Sequence, residues 1–85
     1  MELSHKDAWV LYRLAYFPRV RREKRLAALE EPGVTEAGRR IGLFILGEQV
    51  EGLRDEERAL GERYLRAAWR DRLSLPGRRP APRAR

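Results

Sequence analysis

Catalysis by side chains needs a nucleophile, a group that titrates near neutrality, or a cluster of metal ligands, and this sequence is poor in all three. It holds no cysteine and one histidine. His5 is the only side chain whose ordinary pKa lies near neutrality. It falls in the first turn of a predicted helix, where the sequence identifies no acidic partner. Ser4 and Thr35 stand where helices need N-caps, and Ser74 opens a Pro/Arg tail, so none of these hydroxyls reads as a nucleophile. Glu48 and Glu51 lie three apart, but metal sites in helical bundles add a His three residues after a Glu, and here that position is Glu51 itself. Asp55, Glu56 and Glu57 read as acids at a helix start, where the dipole favours them. The sequence therefore predicts no catalytic residue, no metal and no cofactor, and a protein that is not an enzyme.

Binding chemistry is better represented. Arg19, Arg21, Arg22, Lys24 and Arg25 form a dense basic cluster broken only by Val20 and Glu23. Arg63, Arg66 and Arg70 make a second basic line on the outer face of the last predicted helix, and only Arg66 has an acid four residues before it, Glu62. Arg78, Arg79, Arg83 and Arg85 form a third group near the C-terminus. Such groups suit contact with phosphates without reading of bases, and the competing reading is a solvated, arginine-rich surface. His5, Trp9, Tyr12 and Tyr16 line one side of the first helix. Such a stripe can stack bases or anchor a partner protein. The favoured reading is core or dimer core, with hydroxyls reaching the surface. Glu48 falls on an apolar helix side, so a buried carboxylate there needs a partner; an arginine of the same chain is favoured over a binding role.

Four helices are predicted to carry these residues, giving an all-α fold. Ser4 followed by Asp7 resembles a capping box and starts a helix over Ser4–Phe17, apolar except for a strip through Lys6 and Arg13. Pro18 ends or kinks it. Arg19–Glu31 is charged, weakly amphipathic and reads as a surface helix whose basic start and acidic finish oppose its dipole. Pro32-Gly33 is a turn, with Gly33 free to take positive φ. Thr35–Gly52 reads as the central helix, capped by Thr35. At about 100° per residue its apolar residues fall on two sides, Val34, Ala37, Ile41, Phe44 and Ile45 on one and Leu43, Leu46, Val50 and Leu53 on the other. The second side is expected to be covered by a second copy of the chain. Gly38 and Gly42 leave a flat place for close packing. Asp55 is expected to cap the last helix, Asp55–Leu73, with Leu60, Tyr64, Leu65, Ala67 and Ala68 inward and Trp69 and Leu73 along one edge.

Length and composition bound the rest. The chain has 85 residues and a formal charge of +6, with seventeen arginines against two lysines. Four of those six charges belong to Arg78, Arg79, Arg83 and Arg85, which leaves two for the rest. Residues 1–73 are one small domain, and 74–85 a Pro/Arg-rich tail expected to be disordered. A domain this small buries roughly 60% of its unfolded surface and is marginal alone. Disulfides are excluded and a metal is not suggested, so a homodimer is the expected supplement. Abundant charge and the lack of Asn and Cys fit a thermophile, and the arginine bias fits a GC-rich genome. Ile41-Gly42-Leu43-Phe44-Ile45-Leu46, the most apolar run, is far short of the roughly 20 residues that span a bilayer. The start Met1-Glu2-Leu3-Ser4-His5-Lys6 has no signal-peptide pattern, so a soluble, cytoplasmic protein is expected.

Leu53-Arg54-Asp55-Glu56-Glu57-Arg58-Ala59-Leu60, with Tyr64-Leu65 after it, resembles the lead-in helix of sigma-region-4-like and small phage late-gene regulators. In that family a turn and a recognition helix follow. Here Ser74-Leu75-Pro76-Gly77 and the tail follow instead, so a base-reading helix is lacking and the family's function is not carried over. The sequence as a whole predicts a small helical binding module, homodimeric, that contacts nucleic acid or a nucleoprotein through its arginine clusters and tail. The alternative is a helical protein–protein adaptor whose basic charge is incidental.

Overall fold

The computed structural model describes residues 2–17 and 19–74, with side chains as far as residue 71. Four helices follow one another in the chain, α1 (His5–Tyr16), α2 (Arg22–Ala28), α3 (Glu36–Ile45) and α4 (Asp55–Ser74), and the described residues hold no strand. The expected tail beyond Ser74, with Arg78, Arg79, Arg83 and Arg85, lies outside the described residues.

A helix start leaves four backbone N–H groups without partners. At α1 the Ser4 hydroxyl accepts from the Asp7 N–H at 3.0 Å and the Asp7 carboxylate accepts from the Ser4 N–H at 2.9 Å, the expected capping box. The sequence gives no sign of what the other side of Asp7 does. Asp7 is fully buried and also accepts from the Thr35 N–H at 2.8 Å and the Thr35 hydroxyl at 2.6 Å. Thr35 in turn caps α3 by accepting from the Gly38 N–H at 3.1 Å. The Ser4 hydroxyl donates to the Gly33 carbonyl at 2.7 Å, across a turn where Gly33 has φ +95°. One carboxylate thus ties the starts of α1 and α3 together. Burial opposes its ionisation, but the hydrogen bonds from Thr35 and Ser4 outweigh that and hold its pKa below the ordinary value. Gly38 makes room for it: a Cβ there would run into the Asp7 carboxylate.

Two helices are shorter than their sequence patterns. α2 begins at Arg22, not Arg19, and its N-cap Arg21 makes no side-chain cap hydrogen bond, because a guanidinium has only donors. Its last turn tightens, with Leu29 N–H bonded to Leu26 O and Glu30 N–H to Ala27 O. α3 ends at Ile45, not Gly52. Gly47 takes φ +87°, the Glu48 N–H reaches back to the Leu43 carbonyl at 2.9 Å and the Gly47 N–H to Phe44 at 3.0 Å. That pair of bonds is the Schellman stop, which favours glycine at this position. Val50 and Leu53 therefore lie in the connection to α4, and the expected second face of a long central helix does not exist as one face.

Val10, Leu11, Leu14 and Ala15 of α1, Ala28 and Leu29 at the end of α2, Ile41 and Ile45 of α3 and Ala68 of α4 form the core. Gly42 sits against the Leu14 and Leu29 side chains and Gly61 against Phe44 and Ile41, so α3 is covered by its own chain at both places. The close packing expected at Gly38 and Gly42 is intramolecular. α4 turns Glu57, Gly61 and Ala68 inward, with Leu60 and Tyr64 packed against the core as expected; of the expected inner face Leu65 is instead exposed, as is Trp69 on its edge. α1 is not buried almost all round either. Two long helices are too few to enclose a third, and Trp9, Tyr12 and Phe17 are left exposed.

The start of α4 is fixed by a second buried carboxylate. Asp55 is the first helical residue; the Arg58 N–H bonds the Arg54 carbonyl, and Glu57 reaches back to the Arg54 N–H at 3.0 Å. Glu57 is 2% exposed and takes a two-pronged pair from Arg40 of α3, Nε at 2.9 Å and Nη2 at 2.6 Å. The Arg40 bonds lower the Glu57 pKa from 4.5 to about 2 in spite of burial.

Candidate nucleic-acid interface

Of the cations in a small arginine-rich domain, those available to a partner are the ones its own carboxylates leave alone. Lys6 and Arg13 converge on Glu31, Arg39 lies 3.4 Å from Glu30, and Arg40 holds Glu57. Arg58 lies over the Phe44 ring, 5.5 Å from its centre. The basic cluster before and within α2 is also partly committed. Arg22 pairs with Glu48, which is half-buried and has the same-chain arginine expected for it. Arg25 donates to the Leu14 carbonyl at 3.1 Å, so it caps one of the last carbonyls of α1 and is half-buried doing so. Burial and the neighbouring Arg22 lower its pKa. Arg21 lies 3.9 Å from Glu23, while Arg19 and Lys24 are exposed.

The second basic line stands differently. Arg63, Arg66 and Arg70 are exposed on α4, and neither Arg63 nor Arg66 has a carboxylate partner among the described residues, Glu62 included. All three line an open groove of about 570 Å³ between α1 and α4, whose other walls are Tyr12, Tyr16, Leu60, Tyr64 and Ala67. Arg66 and Arg70 also line a second depression of about 390 Å³ with Leu65 and Trp69. They form a cationic ridge with an aromatic trough on each side.

The groove is positioned by a contact between the C-terminal ends of its two helices. The Tyr16 hydroxyl donates to Asp71 at 2.9 Å, and this bond raises the Tyr16 pKa above its ordinary value of 10. The stripe at helical spacing becomes a ladder: Trp9 on Tyr12 at 5.8 Å and 21°, Tyr12 on Tyr16 at 4.5 Å and 28°, with Phe17 edge-on to Tyr12 at 5.9 Å. The expectation of core or dimer core is corrected in its first part: the stripe does not lie in the core of its own chain. Tyr16 is half-buried, while Trp9 is 54% and Tyr12 39% exposed, because the core takes the Val10, Leu11 and Leu14 side of α1 and α4 meets the tyrosine side without closing over it.

Other expected site residues are dispersed. His5 is exposed. No group of three or more potential metal ligands occurs among the described residues, and none of their helices is long and apolar enough to cross a membrane. Leu43 and Leu46 pack against the core while Val50 and Leu53 sit half-buried in the connection after α3, so the expected dimer face loses the continuous helix it rested on. The groove itself has no signature in the sequence. Its elements were visible as the tyrosine spacing and the Arg63–Arg66–Arg70 line, but nothing local shows that α1 and α4 lie side by side. In comparison with known proteins, the chain matches no family model, no curated protein and no solved structure.

Proposed function

We propose that this protein is a non-catalytic nucleic-acid-binding module whose contact surface is the α1–α4 groove and its arginine ridge. One observation carries the reading. In a domain where arginines are paired with carboxylates at Arg13, Arg22, Arg39 and Arg40, Arg63 and Arg66 are exposed, without a carboxylate partner among the described residues, and set along an aromatic groove. A guanidinium matches phosphate oxygens in two-pronged geometry, and neutralising phosphates releases counterions from the nucleic acid. Binding is then governed by phosphates and falls steeply as salt rises. Arg19, Arg21 and Lys24 add diffuse positive potential; Arg22 and Arg25 serve the fold.

A helical adaptor for another protein is the second reading, favoured by the exposed Trp9, Phe17, Leu65 and Trp69. Salt separates the two. Titrating the full chain with labelled nucleic acid at low and moderate salt should give affinity that falls with a log–log slope of about −0.7 to −0.9 per phosphate contacted. Arg63→Gln with Arg66→Gln should flatten that slope by about two phosphates' worth. No retention of nucleic acid at low salt would leave the adaptor reading in place.

A further inference from the structure

Resting on that reading, we infer that the nucleic acid is single-stranded, with phosphates on Arg63 and Arg66 of the ridge and an unpaired base stacked on the aromatic ladder at Trp9. Charge complementarity selects a polyanion. Arg63 and Arg66 have no carboxylate partner among the described residues, and Asp71, which meets the groove at Tyr16, is engaged by that hydroxyl. The rings then select among polyanions. Trp9, Tyr12 and Tyr16 are nearly parallel and joined edge to edge with the groove, so they offer a stacking platform continuous with the cations. A duplex keeps its base faces inside the stack and presents only phosphates and groove edges, which leaves such a platform unused. A single strand presents base faces, and every base has one, so stacking beside a positive groove recognises strandedness rather than sequence. A groove of about 570 Å³ beside a 54% exposed tryptophan fits the chemistry of a backbone with planar pendant groups. α2, by contrast, has seven residues and no aromatic ring, and offers charge only.

The test uses three probes against the full chain at one low salt concentration: an oligothymidylate of about 12 nucleotides, a duplex of the same length, and inorganic polyphosphate, which has the charge and no bases. The Trp69→Phe protein leaves Trp9 as the single indole, so its fluorescence reports on the ladder. Oligothymidylate should bind more tightly than the other two and quench Trp9, and polyphosphate should leave its emission unchanged. Trp9→Ala should weaken oligothymidylate binding by about 5- to 100-fold, with polyphosphate binding unaltered and Trp9→Phe restoring most of the loss. Equal binding of all three probes with no Trp9 quenching would overturn single-strand recognition and leave the phosphate-binding reading standing. Binding of none of them would overturn both. Because the quenching is read on a protein that keeps Trp9, the result does not depend on how Trp9→Ala folds.

Discussion

Replacing Glu57 by Gln keeps the side chain's size and removes its charge, at a site 2% exposed. The amide oxygen can still accept from the Arg54 N–H, but the two-pronged pair with Arg40 is broken and a guanidinium that is only 24% exposed loses its counter-charge. Breaking a buried pair from one side costs about 3–5 kcal/mol; with Arg40 partly solvated, about 2–4 kcal/mol is expected. The pH dependence gives an independent measure. The folded carboxyl ionises with a pKa of about 2 against 4.5 unperturbed, so its contribution is present in full above about pH 4.5 and disappears as pH falls towards 2. Converting that difference gives about 2–3 kcal/mol after allowance for solvent, the same range as the mutational estimate. Urea unfolding followed by helical circular dichroism at neutral pH and near the lower limit measures both. The gap between wild type and Glu57→Gln should be widest at neutral pH and nearly closed at the acid end. A gap below about 0.5 kcal/mol at neutral pH, within the range of ordinary surface substitutions, or one that does not narrow with acid, would refute the assignment of Glu57 as the anchor of α3 and α4.

Asp7→Asn puts an amide donor among the Ser4 and Thr35 donors and should cost about 2–4 kcal/mol in chemical denaturation, since hydrogen bonds to charged groups carry about 1.5–3 kcal/mol each. Gly42→Ala gains about 1 kcal/mol of helix propensity but drives a methyl into Leu29, and overpacking of about 1–3 kcal/mol should win; thermal unfolding gives the sign. Gly47→Ala meets nothing within 4 Å, yet it should destabilise because its φ of +87° disfavours a Cβ, and Gly47→Asn should cost less. Arg25→Ala should lower stability through the lost cap on Leu14, whereas Lys24→Ala, exposed and lacking a carboxylate partner among the described residues, should change it by less than about 0.5 kcal/mol.

What the sequence revealed divides by range. Ser4 with Asp7, Thr35 with Glu36 and Gly33 are decided within a few residues, and each stands as its local pattern implies. The Asp7 bond to Thr35 spans 28 residues and the Arg40–Glu57 pair 17, so these acids read locally only as helix-start charges. α3 shows a local rule overriding a longer one: apolar spacing continues through Val50 and Leu53, but glycine in the left-handed region at Gly47 ends the helix first. Periodicity placed Trp9, Tyr12 and Tyr16 on one side of α1. It could not tell covered from open, because that depends on how many helices remain to pack there. Arg25 likewise announces a charge and conceals a cap.

The most direct test of the α1–α4 surface as the binding site is an amide nuclear magnetic resonance titration of the labelled full chain with an oligonucleotide. Shifts concentrated on Trp9, Tyr12, Tyr16, Arg63, Tyr64 and Arg66 are predicted, with α2 little affected. Shifts confined to Arg19, Arg21 and Lys24, or none at all, would contradict it.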